Sequence, residues 1–346
     1  MLDISTKEEN MSILRLFTAI FLALGITSVS TSAKAAAHCE DVTIAEMNWA
    51  SAQVIAHIDA TILGVGYGCD VELIPGDTMP TSTSLVEKGE PSIAPELWSQ
   101  NLKQVLDPAE AEGLIANVGK VFENGGEEGL WIPTYLAEAE GIVTIEDALA
   151  RPELFPHPED SSKAGFYGCP AGWNCQITTT QMFKAYDMAG AGFEFIDPGS
   201  GGALAGAMGE AYNKGEGWMG YYWGPTAILG KYNMTKLDEG VDHNADTWIS
   251  EINDLNVAAP GKNRYPASTV ETYVGKDMLD NFVVMNYLEK RSFPNSMLSA
   301  MLAWKEENQA EASETAEYFL ETYEDVWKNW TSADARIAIK EEMGMM

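Results

Sequence analysis

The sequence predicts an α/β protein of two lobes with a ligand cleft between them. Three observations lead to this prediction. Strand and helix patterns alternate along most of the 346 residues, and a chain of that length can bury two cores. Each strand–helix–strand run is a unit of parallel sheet. The last part of the chain also returns to the first lobe, which requires two crossovers, near residues 135–141 and 259–265, and so makes a hinge.

The elements follow in chain order, and the second lobe is predicted to lie between two parts of the first. The predicted strands are 41–49, 70–74, 92–98, 118–122, 129–135, 164–167, 193–197, 218–223 and 269–274. The predicted helices are 50–63, 81–88, 145–149, 178–189, 203–212, 277–290, 296–307 and 311–329, and residues 235–263 are predicted to be mostly connector. The predicted domains are an export signal at 1–37, a first lobe at 38–137 and 264–346, and a second lobe at 138–263.

The charge of the chain restricts its partners. The formal net charge is −31, with 52 acidic and 21 basic residues. Such a chain repels nucleic acids and anionic membrane surfaces, so no nucleic-acid partner is expected. Hydrophobic residues make up 46%, as in globular proteins and unlike disordered ones.

An apolar run near the start predicts export. Residues 13–29 are apolar, Arg15 stands near their head, and small residues at 33–35 and 35–37 fit cleavage sites. This pattern is typical of a secretory signal peptide and predicts a periplasmic protein. A retained membrane anchor is the alternative, but the run is short for a spanning helix.

An even number of cysteines in an exported chain indicates disulfides. Four cysteines allow three pairings, of which we prefer Cys39–Cys69 and Cys169–Cys175. Zinc is the rival interpretation, and the histidines show no ligand spacing with the cysteines. Residues 238–246 are rich in Asp and Asn, but they lack the calcium-loop pattern and fit a solvated connector. We therefore predict neither a metal nor a cofactor.

Several tryptophans stand at predicted strand ends or on a stiff loop. Ligands of parallel α/β sheets bind beyond the carboxyl ends of the strands. The loop is closed by Cys169 and Cys175 and carries one aromatic residue. For any single tryptophan, packing in the core is the simpler interpretation, but the shared position predicts a tryptophan cage from Trp49, Trp98, Trp131, Trp173 and Trp223. The faces of indole rings attract a methylated ammonium group, which cannot donate strong hydrogen bonds.

Longer motifs around these tryptophans resemble the substrate-binding proteins of ABC importers for glycine betaine, proline betaine and choline. The resemblance covers nearly all of the chain after the signal and rests on residues 48–51, 89–98, 168–175, 221–225 and 265–269. It implies a type II, venus-flytrap periplasmic binding protein that delivers its ligand to a membrane permease. It implies that Trp98, Trp173 and Trp223 form a tryptophan cage. The choline-type members have further aromatic residues at the positions that match Trp49 and Trp131.

Carboxylates near the predicted cage guide the choice of ligand. We take Glu46, Glu96 and Glu128 as candidate ligand-binding residues, although surface charge is the simpler interpretation for each. A carboxylate in the pocket would repel the carboxylate of glycine betaine. Highly acidic proteins that resemble this chain include binders of trimethylamine N-oxide, and this is the first choice. Choline or glycine betaine in the same cage is the alternative, with backbone donors near 168–169 or 201–202 serving the betaine carboxylate.

A secreted enzyme that acts on a methylated amine is a more remote alternative. The chain contains no G-x-S-x-G and no H-E-x-x-H motif, and its acidic residues are too many for any pair to be diagnostic. A structural surface protein would have no need for tryptophans gathered at strand ends. We therefore predict a monomeric binding protein and not an enzyme.

Overall fold

The computed structural model describes residues 39, 41–160 and 162–345. The predicted signal and its cleavage sites lie outside this part of the chain. The strands are Val42–Met47 (β1), Val71–Gly76 (β2), Ile93–Leu97 (β3), Ile115–Lys120 (β4), Glu127–Pro133 (β5), Ala164–Tyr167 (β6), Phe193–Ile196 (β7), Gly220–Gly224 (β8), Met234–Lys236 (β9) and Glu271–Gly275 (β10).

The helices begin at polar caps in several places, as the sequence around them favours. Asp77 accepts from the N–H of Thr78, and Ser200 accepts from the N–H of Ala203. The helices are Ala50–Thr61 (α1), Thr78–Lys88 (α2), Lys103–Ala111 (α3), Thr134–Glu140 (α4), Ile145–Leu149 (α5), Asn174–Ala185 (α6), Gly201–Lys214 (α7), Ala227–Lys231 (α8), Ala245–Thr247 (α9), Phe282–Leu288 (α10), Asn295–Asn308 (α11), Ala312–Thr322 (α12), Glu324–Trp327 (α13) and Ala333–Glu342 (α14). No helix in the described residues is long and apolar enough to span a membrane.

The described strands form two mixed five-stranded sheets. The first has the order β2-β1-β3-β10-β4, in which β1 is parallel to β2 and β3 and β10 is antiparallel to β3 and β4. The second has the order β7-β6-β8-β5-β9, in which β6 is parallel to β7 and β8 and β5 is antiparallel to β8 and β9. The predicted α/β class is therefore confirmed.

The strand pairing differs from the predicted domain boundary at residue 137. Strand β5 lies before that boundary, but it pairs with β8 in the second sheet, with Glu128 opposite Trp223. The chain therefore passes to the second sheet between Lys120 and Glu127. An alternating strand pattern gives the faces of a strand but not its partner, which is why the sequence misplaced β5. The division into lobes otherwise stays a prediction.

The other differences between the predicted and the observed elements are smaller. The segment 235–263, predicted as mostly connector, contains β9, α9 and a π-helical turn at Trp248–Ile252, and Trp248 is buried. The predicted helix at 311–329 is divided into α12 and α13. Both preferred disulfides are present, with Cα–Cα distances of 4.6 Å for Cys39–Cys69 and 5.6 Å for Cys169–Cys175.

Two clusters of buried apolar residues support the sheets. One cluster packs α1, α11 and α12 against the first sheet, with Phe319 and Trp327 fully buried in it. The other runs continuously from the ends of β1 and β3 into the second sheet and contains Met47, Leu97 and Tyr222. The ends of the first-sheet strands are therefore packed against the second sheet, where the candidate site lies.

A buried ion pair joins α1 to the turn after α10. Arg291 Nε lies 3.1 Å from Asp59 Oδ1, and neither side chain is exposed. Tyr287 donates to the same carboxylate at 2.6 Å, and Arg291 Nη2 donates to Thr272 Oγ1 at 2.6 Å. Burial raises the pKa of Asp59, while Arg291 and Tyr287 act against that rise. Removing one partner would leave the other charge uncompensated.

We therefore expect Arg291→Ala to lower the free energy of unfolding by about 3–5 kcal/mol, because Asp59 stays buried without its cation. Urea denaturation followed by circular dichroism measures this. Lys214→Ala is the control: Lys214 pairs with Glu210 on the surface of α7 at 2.6 Å, and its loss should leave the free energy of unfolding almost unchanged. Equal effects of the two substitutions would contradict the structural role of the buried pair.

Candidate functional site

A cavity lies between the ends of the first-sheet strands and the second sheet. It encloses about 350 Å³ of space, part of which is open to solvent. Its described lining residues are Trp49, Thr78, Trp98, Asn101, Glu128, Trp173, Asn174, Cys175, Tyr221 and Trp223. We call it the indole cavity, because four of these residues are tryptophans.

Two of the indoles come from the first sheet. Trp49 stands two residues after β1 and immediately before α1, and Trp98 directly follows β3. Strands β1 and β3 are parallel neighbours, so their carboxyl ends meet at one edge of the sheet. Trp49 is 6% exposed, and the ring of Trp98 lies against the backbone of Gly126. The sequence therefore predicted the position of both rings from the strand pattern.

The other two indoles come from the second sheet. Trp223 lies in β8, and Trp173 lies in the disulfide loop immediately before α6. Gly172, just before Trp173, has a φ of 91°, a conformation that favours glycine and turns the loop. Trp173 Nε1 donates to Asn48 Oδ1 at 2.5 Å, which ties the loop to the end of β1.

The indole rings meet edge to face. The ring centroids of Trp49 and Trp173 are 5.3 Å apart at 71°, and those of Trp173 and Trp223 are 5.1 Å apart at 83°. Steep angles between neighbouring rings are a favourable aromatic geometry. They also make the rings into walls around a space, whereas parallel stacking would fill it.

One carboxylate, that of Glu128 on β5, lines the cavity. It is 2% exposed and is held by three neutral donors. Tyr221 Oη donates to Oε1 at 2.8 Å, and Ser268 Oγ and Asn101 Nδ2 donate to Oε2 at 2.7 and 3.0 Å. Burial raises the pKa of Glu128, and these hydrogen bonds act against that rise.

Glu96 lies behind the indoles and not in the lining of the cavity. Its Oε1 accepts from Trp49 Nε1 at 2.6 Å, from Ser51 Oγ at 2.9 Å and from Trp98 Nε1 at 3.2 Å. Burial raises the pKa of Glu96 to about 7. The sequence predicted that Glu96 contacts the ligand; in the structure its carboxylate instead contacts two of the walls.

Two predicted site residues are not brought to the cavity. Trp131 is buried within β5, and its Nε1 donates to the carbonyl of Tyr222 at 3.1 Å. Glu46 lies 3.2 Å from His57 Nε2, with about a quarter of its side chain exposed. For Trp131 the reason is strand alternation, since Trp131 and Glu128 are three residues apart in β5, whereas Trp49 lies beyond the end of the strand that holds Glu46. In a strand, residues an odd number apart point to opposite faces.

Four lining side chains were not predicted. Tyr221 precedes Trp223 by two residues in β8, so strand alternation places them on one face, and their rings lie 6.1 Å apart at 22°. That signal was available in the sequence. Asn174 adjoins Trp173, but neither Thr78, at the start of α2, nor Asn101, in a short 3₁₀ turn, carries a periodic signal.

Asn101 collects hydrogen bonds from residues around the second sheet. Trp248 Nε1 donates to its Oδ1 at 3.0 Å, and Asn253 and Asn174 donate to its carbonyl at 2.7 and 3.3 Å. Its own Nδ2 donates to Glu128. Asn101 therefore links the segment after β3 to both the cavity and the chain near Trp248.

Asn174 offers the cavity an unused acceptor. Its Nδ2 donates to the Asn101 carbonyl and to Asn253 Oδ1 at 3.0 Å, which fixes the orientation of the amide. Its Oδ1 is buried and has no hydrogen-bond partner in the described structure. The lining contains no Lys or Arg among the described residues. The polar atoms of the cavity are thus mainly acceptors. No group of three or more His, Cys, Asp or Glu in the described residues is arranged to hold a metal ion.

A family model described as the substrate-binding domain of ABC-type glycine betaine transport systems matches residues 40–322. The chain belongs to this family. Its members are binding domains of transport systems, so the predicted class of protein is confirmed over the enzyme alternative.

Solved structures share the fold at low sequence identity. A choline-binding protein of an ABC transporter in complex with choline has a TM-score of 0.69 and 18% identity, covering 88% of this chain and 98% of its own. The glycine betaine/L-proline-binding protein ProX from Borrelia burgdorferi has a TM-score of 0.66 and 16% identity, covering 86% and 99%. Lactococcal OpuAC, closed on glycine betaine, has a TM-score of 0.63 and 16% identity, covering 85% and 100%. These likenesses confirm the periplasmic-binding-protein fold.

A glycine in α7 gives a direct test of the cavity wall. A Cβ on Gly201 would lie 2.8 Å from the ring of Trp173, so Gly201→Ala must displace that ring. We expect the affinity for any ligand of the cavity to fall about tenfold, because Trp173 is one of its walls. Isothermal titration calorimetry with choline and trimethylamine N-oxide measures this.

Gly206→Ala is the matched control for this substitution. It lies in the same helix, and nothing stands within 4 Å of its Cβ position, so its affinity should equal that of the unmodified protein. If Gly201→Ala binds as tightly as Gly206→Ala, the indole of Trp173 is not a wall of the binding site.

Proposed function

We propose that the chain is the periplasmic solute-binding component of an ABC importer that captures a small methylated amine, with trimethylamine N-oxide as first choice. The observation that carries this proposal is the indole cavity, in which four tryptophans surround a space and the carboxylate of Glu128 is the one charged group among the described lining residues. The export signal predicted at residues 1–37 supports the location. A membrane permease is the expected partner, and the protein is expected to act as a monomer.

The rings supply attraction without hydrogen bonds. An indole face attracts a diffuse cation by ~0.5–2 kcal/mol, and the larger value applies where water is excluded. Three or four faces together approach the roughly −8 kcal/mol that micromolar binding requires. A primary amine or a hydrated inorganic ion would lose its water on entry and regain too few hydrogen bonds. This favours an ammonium group that carries methyl groups.

Glu128 favours a ligand without a carboxylate. A second carboxylate would be repelled by Glu128 and would find no lysine or arginine donor among the described lining residues. The backbone donors considered for glycine betaine at 168–169 give little support, since the N–H of Gly168 donates to Ile196 and that of Cys169 to Thr179. Residues 201–202 are not among the described residues that line the cavity. The cavity therefore matches the polar groups of glycine betaine less well than those of a ligand with a single small polar group.

Trimethylamine N-oxide fits that description if one proton is shared between its oxygen and Glu128. Because burial raises the pKa of Glu128, its carboxyl group can carry this proton more readily than an exposed glutamic acid.

Choline is the second candidate, and the acceptors of the cavity favour it. Its hydroxyl group can donate directly to Glu128 or to the unpaired Oδ1 of Asn174. It needs no shared proton, but its chain occupies more of the cavity than the N-oxide does. Both candidate ligands would contact the same rings, so only substitutions of polar lining residues, such as Glu128, distinguish them.

Truncating a ring tests the cage itself. We expect Trp173→Ala and Trp223→Ala each to weaken binding of trimethylamine N-oxide and choline at least about tenfold, since each removes one face. Calorimetric titration and tryptophan fluorescence measure this. Trp304→Ala, which removes a ring stacked on Tyr318 outside the cavity, is the control. Unchanged isotherms for both cage variants, with native far-ultraviolet circular dichroism, would remove the cage from the proposal.

Replacing Glu128 tests which ligand is preferred. Glu128→Gln removes the charge but keeps a group that can donate a hydrogen bond. We expect choline binding to weaken about tenfold or more, because a cation loses its buried counter-charge, and trimethylamine N-oxide binding to weaken less. Competition calorimetry with glycine betaine included gives the ranking. The control is Glu46→Gln, which lies on β1 of the first sheet and is paired with His57 outside the cavity. If glycine betaine binds the native protein more tightly than trimethylamine N-oxide and choline do, the ligand choice is wrong.

A further inference from the structure

Two walls of the indole cavity are anchored to the same oxygen atom. Oε1 of Glu96 accepts the indole N–H of Trp49 at 2.6 Å and that of Trp98 at 3.2 Å. Ser51 Oγ completes the group at 2.9 Å. Glu96 lies in β3, Trp98 follows that strand, and Trp49 and Ser51 lie at the start of α1. One carboxylate therefore connects the exit of β3 to the start of the neighbouring helix.

Contact with the ligand does not explain why residue 96 is a carboxylate. Glu96 is fully buried and is not part of the cavity lining. Its Oε2 is buried without a hydrogen-bond partner in the described structure. A neutral amide could accept the same three bonds, and burying an ionised group that is only partly satisfied costs free energy. The charge is thus a separate feature from the hydrogen bonds.

We propose that Glu96 is a positioning residue that fixes the indole planes of Trp49 and Trp98 through one oxygen and places negative charge behind them for a cationic ligand. This inference rests on the proposed function, since it concerns the same cavity. An N–H that donates to a carboxylate makes a charge-assisted bond, which is shorter and stronger than a neutral one. It holds each ring plane and leaves the ring faces free for the cavity.

The charge acts on the ligand through the rings. Glu96 lies where water does not screen it, so its field is felt by a cation on the other side of the indoles. The same field adds to the attraction of the ring faces themselves. A neutral ligand of the same shape would meet the same walls but would gain nothing from the charge.

Protonation of Glu96 would remove its negative charge without changing the positions of the cavity walls. A proton on the unpartnered Oε2 would leave the three hydrogen bonds to Oε1 in place, so the walls keep their positions while the negative charge is lost. Burial raises the pKa of Glu96 to about 7, and bonds from Trp49, Ser51 and Trp98 and the charge of Arg291 act against that rise. Because a cation favours the ionised form, its affinity should be low below about pH 7 and should increase as pH rises through that value.

Other titratable groups are placed on the elements packed around Glu96, and they define the controls. Arg291 is paired with Asp59 of α1. The other groups on elements that pack against β3 are Glu46 on β1, His57 on α1, Glu87 and Lys88 on α2, Glu271 on β10 and, in the cavity itself, Glu128. The pKa of Glu128 is raised by burial as well, so its titration acts in the same direction. The difference between the native protein and a Glu96 variant at each pH isolates the contribution of Glu96.

The experiment compares a permanent cation with its neutral isostere. Choline and 3,3-dimethylbutan-1-ol have the same shape, and only the first is charged at every pH. Each is titrated calorimetrically into the native protein, Glu96→Gln and Glu46→Gln at about pH 5, 7 and 9. We expect Glu96→Gln to weaken choline about tenfold at the highest pH, to have little effect at the lowest, and to leave the isostere unchanged throughout. Glu46→Gln should follow the native protein.

The native protein alone provides a second measurement if Glu96→Gln does not fold. Its affinity for choline should increase by more than its affinity for the isostere between the lowest and highest pH. Equal pH profiles for choline in the native protein and Glu96→Gln, or equal profiles for both ligands in the native protein, would overturn the role of Glu96. If the native protein binds no methylated amine at all, the proposed function fails instead, and the two failures are distinguishable.

Discussion

The site depends on negative charge that is buried against neutral partners. Glu128 is held by a phenol, a hydroxyl and an amide, and Glu96 by two indoles and a hydroxyl. Burial raises the pKa of both, which means that burial disfavours their ionised forms. A ligand that brings a positive charge would relieve part of this penalty, whereas an anion would add to the repulsion.

The same residues connect ligand binding to the relation between the two sheets. Trp49 and Trp98 follow strands of the first sheet, whereas Trp173 and Trp223 belong to the second. The bond from Trp173 to Asn48 crosses between them directly. Asn101 crosses as well, since it joins Glu128 to Trp248 and Asn253. A cation that contacts all four rings would therefore add to contacts already made across the junction, which is how closure and capture become one event in a hinged binding protein.

Strand periodicity accounts for what the sequence could and could not predict. Trp49, Trp98, Trp173 and Trp223 were found because strand ends and a disulfide loop are visible in the sequence, and Glu128 was found through its charge. Trp131 was assigned to the cavity although alternation along β5 points it away from the face of Glu128, and Glu46 lies on β1, which ends before Trp49. Asn101 and Thr78 had no pattern to reveal them, since a short turn and a helix start have no periodicity. The pairing of β5 with β8 was equally hidden, because it depends on the sheet that surrounds a strand and not on the strand itself.

The two carboxylates also explain how a cavity can prefer methylated cations over ammonium ions that carry hydrogen atoms. A carboxylate in direct contact with the ligand accepts hydrogen bonds from its N–H groups. Such a carboxylate would therefore favour a primary amine if it were the main source of attraction. Charge placed behind an aromatic wall has no direction and offers the ligand no acceptor. It attracts any cation that tolerates contact with the ring faces alone, and a methylated group tolerates this best. With Glu96 behind the rings and Glu128 already bonded to three donors, the walls of the cavity attract charge while leaving few acceptors for N–H groups. The preference then follows from where the carboxylates stand and not from how many there are.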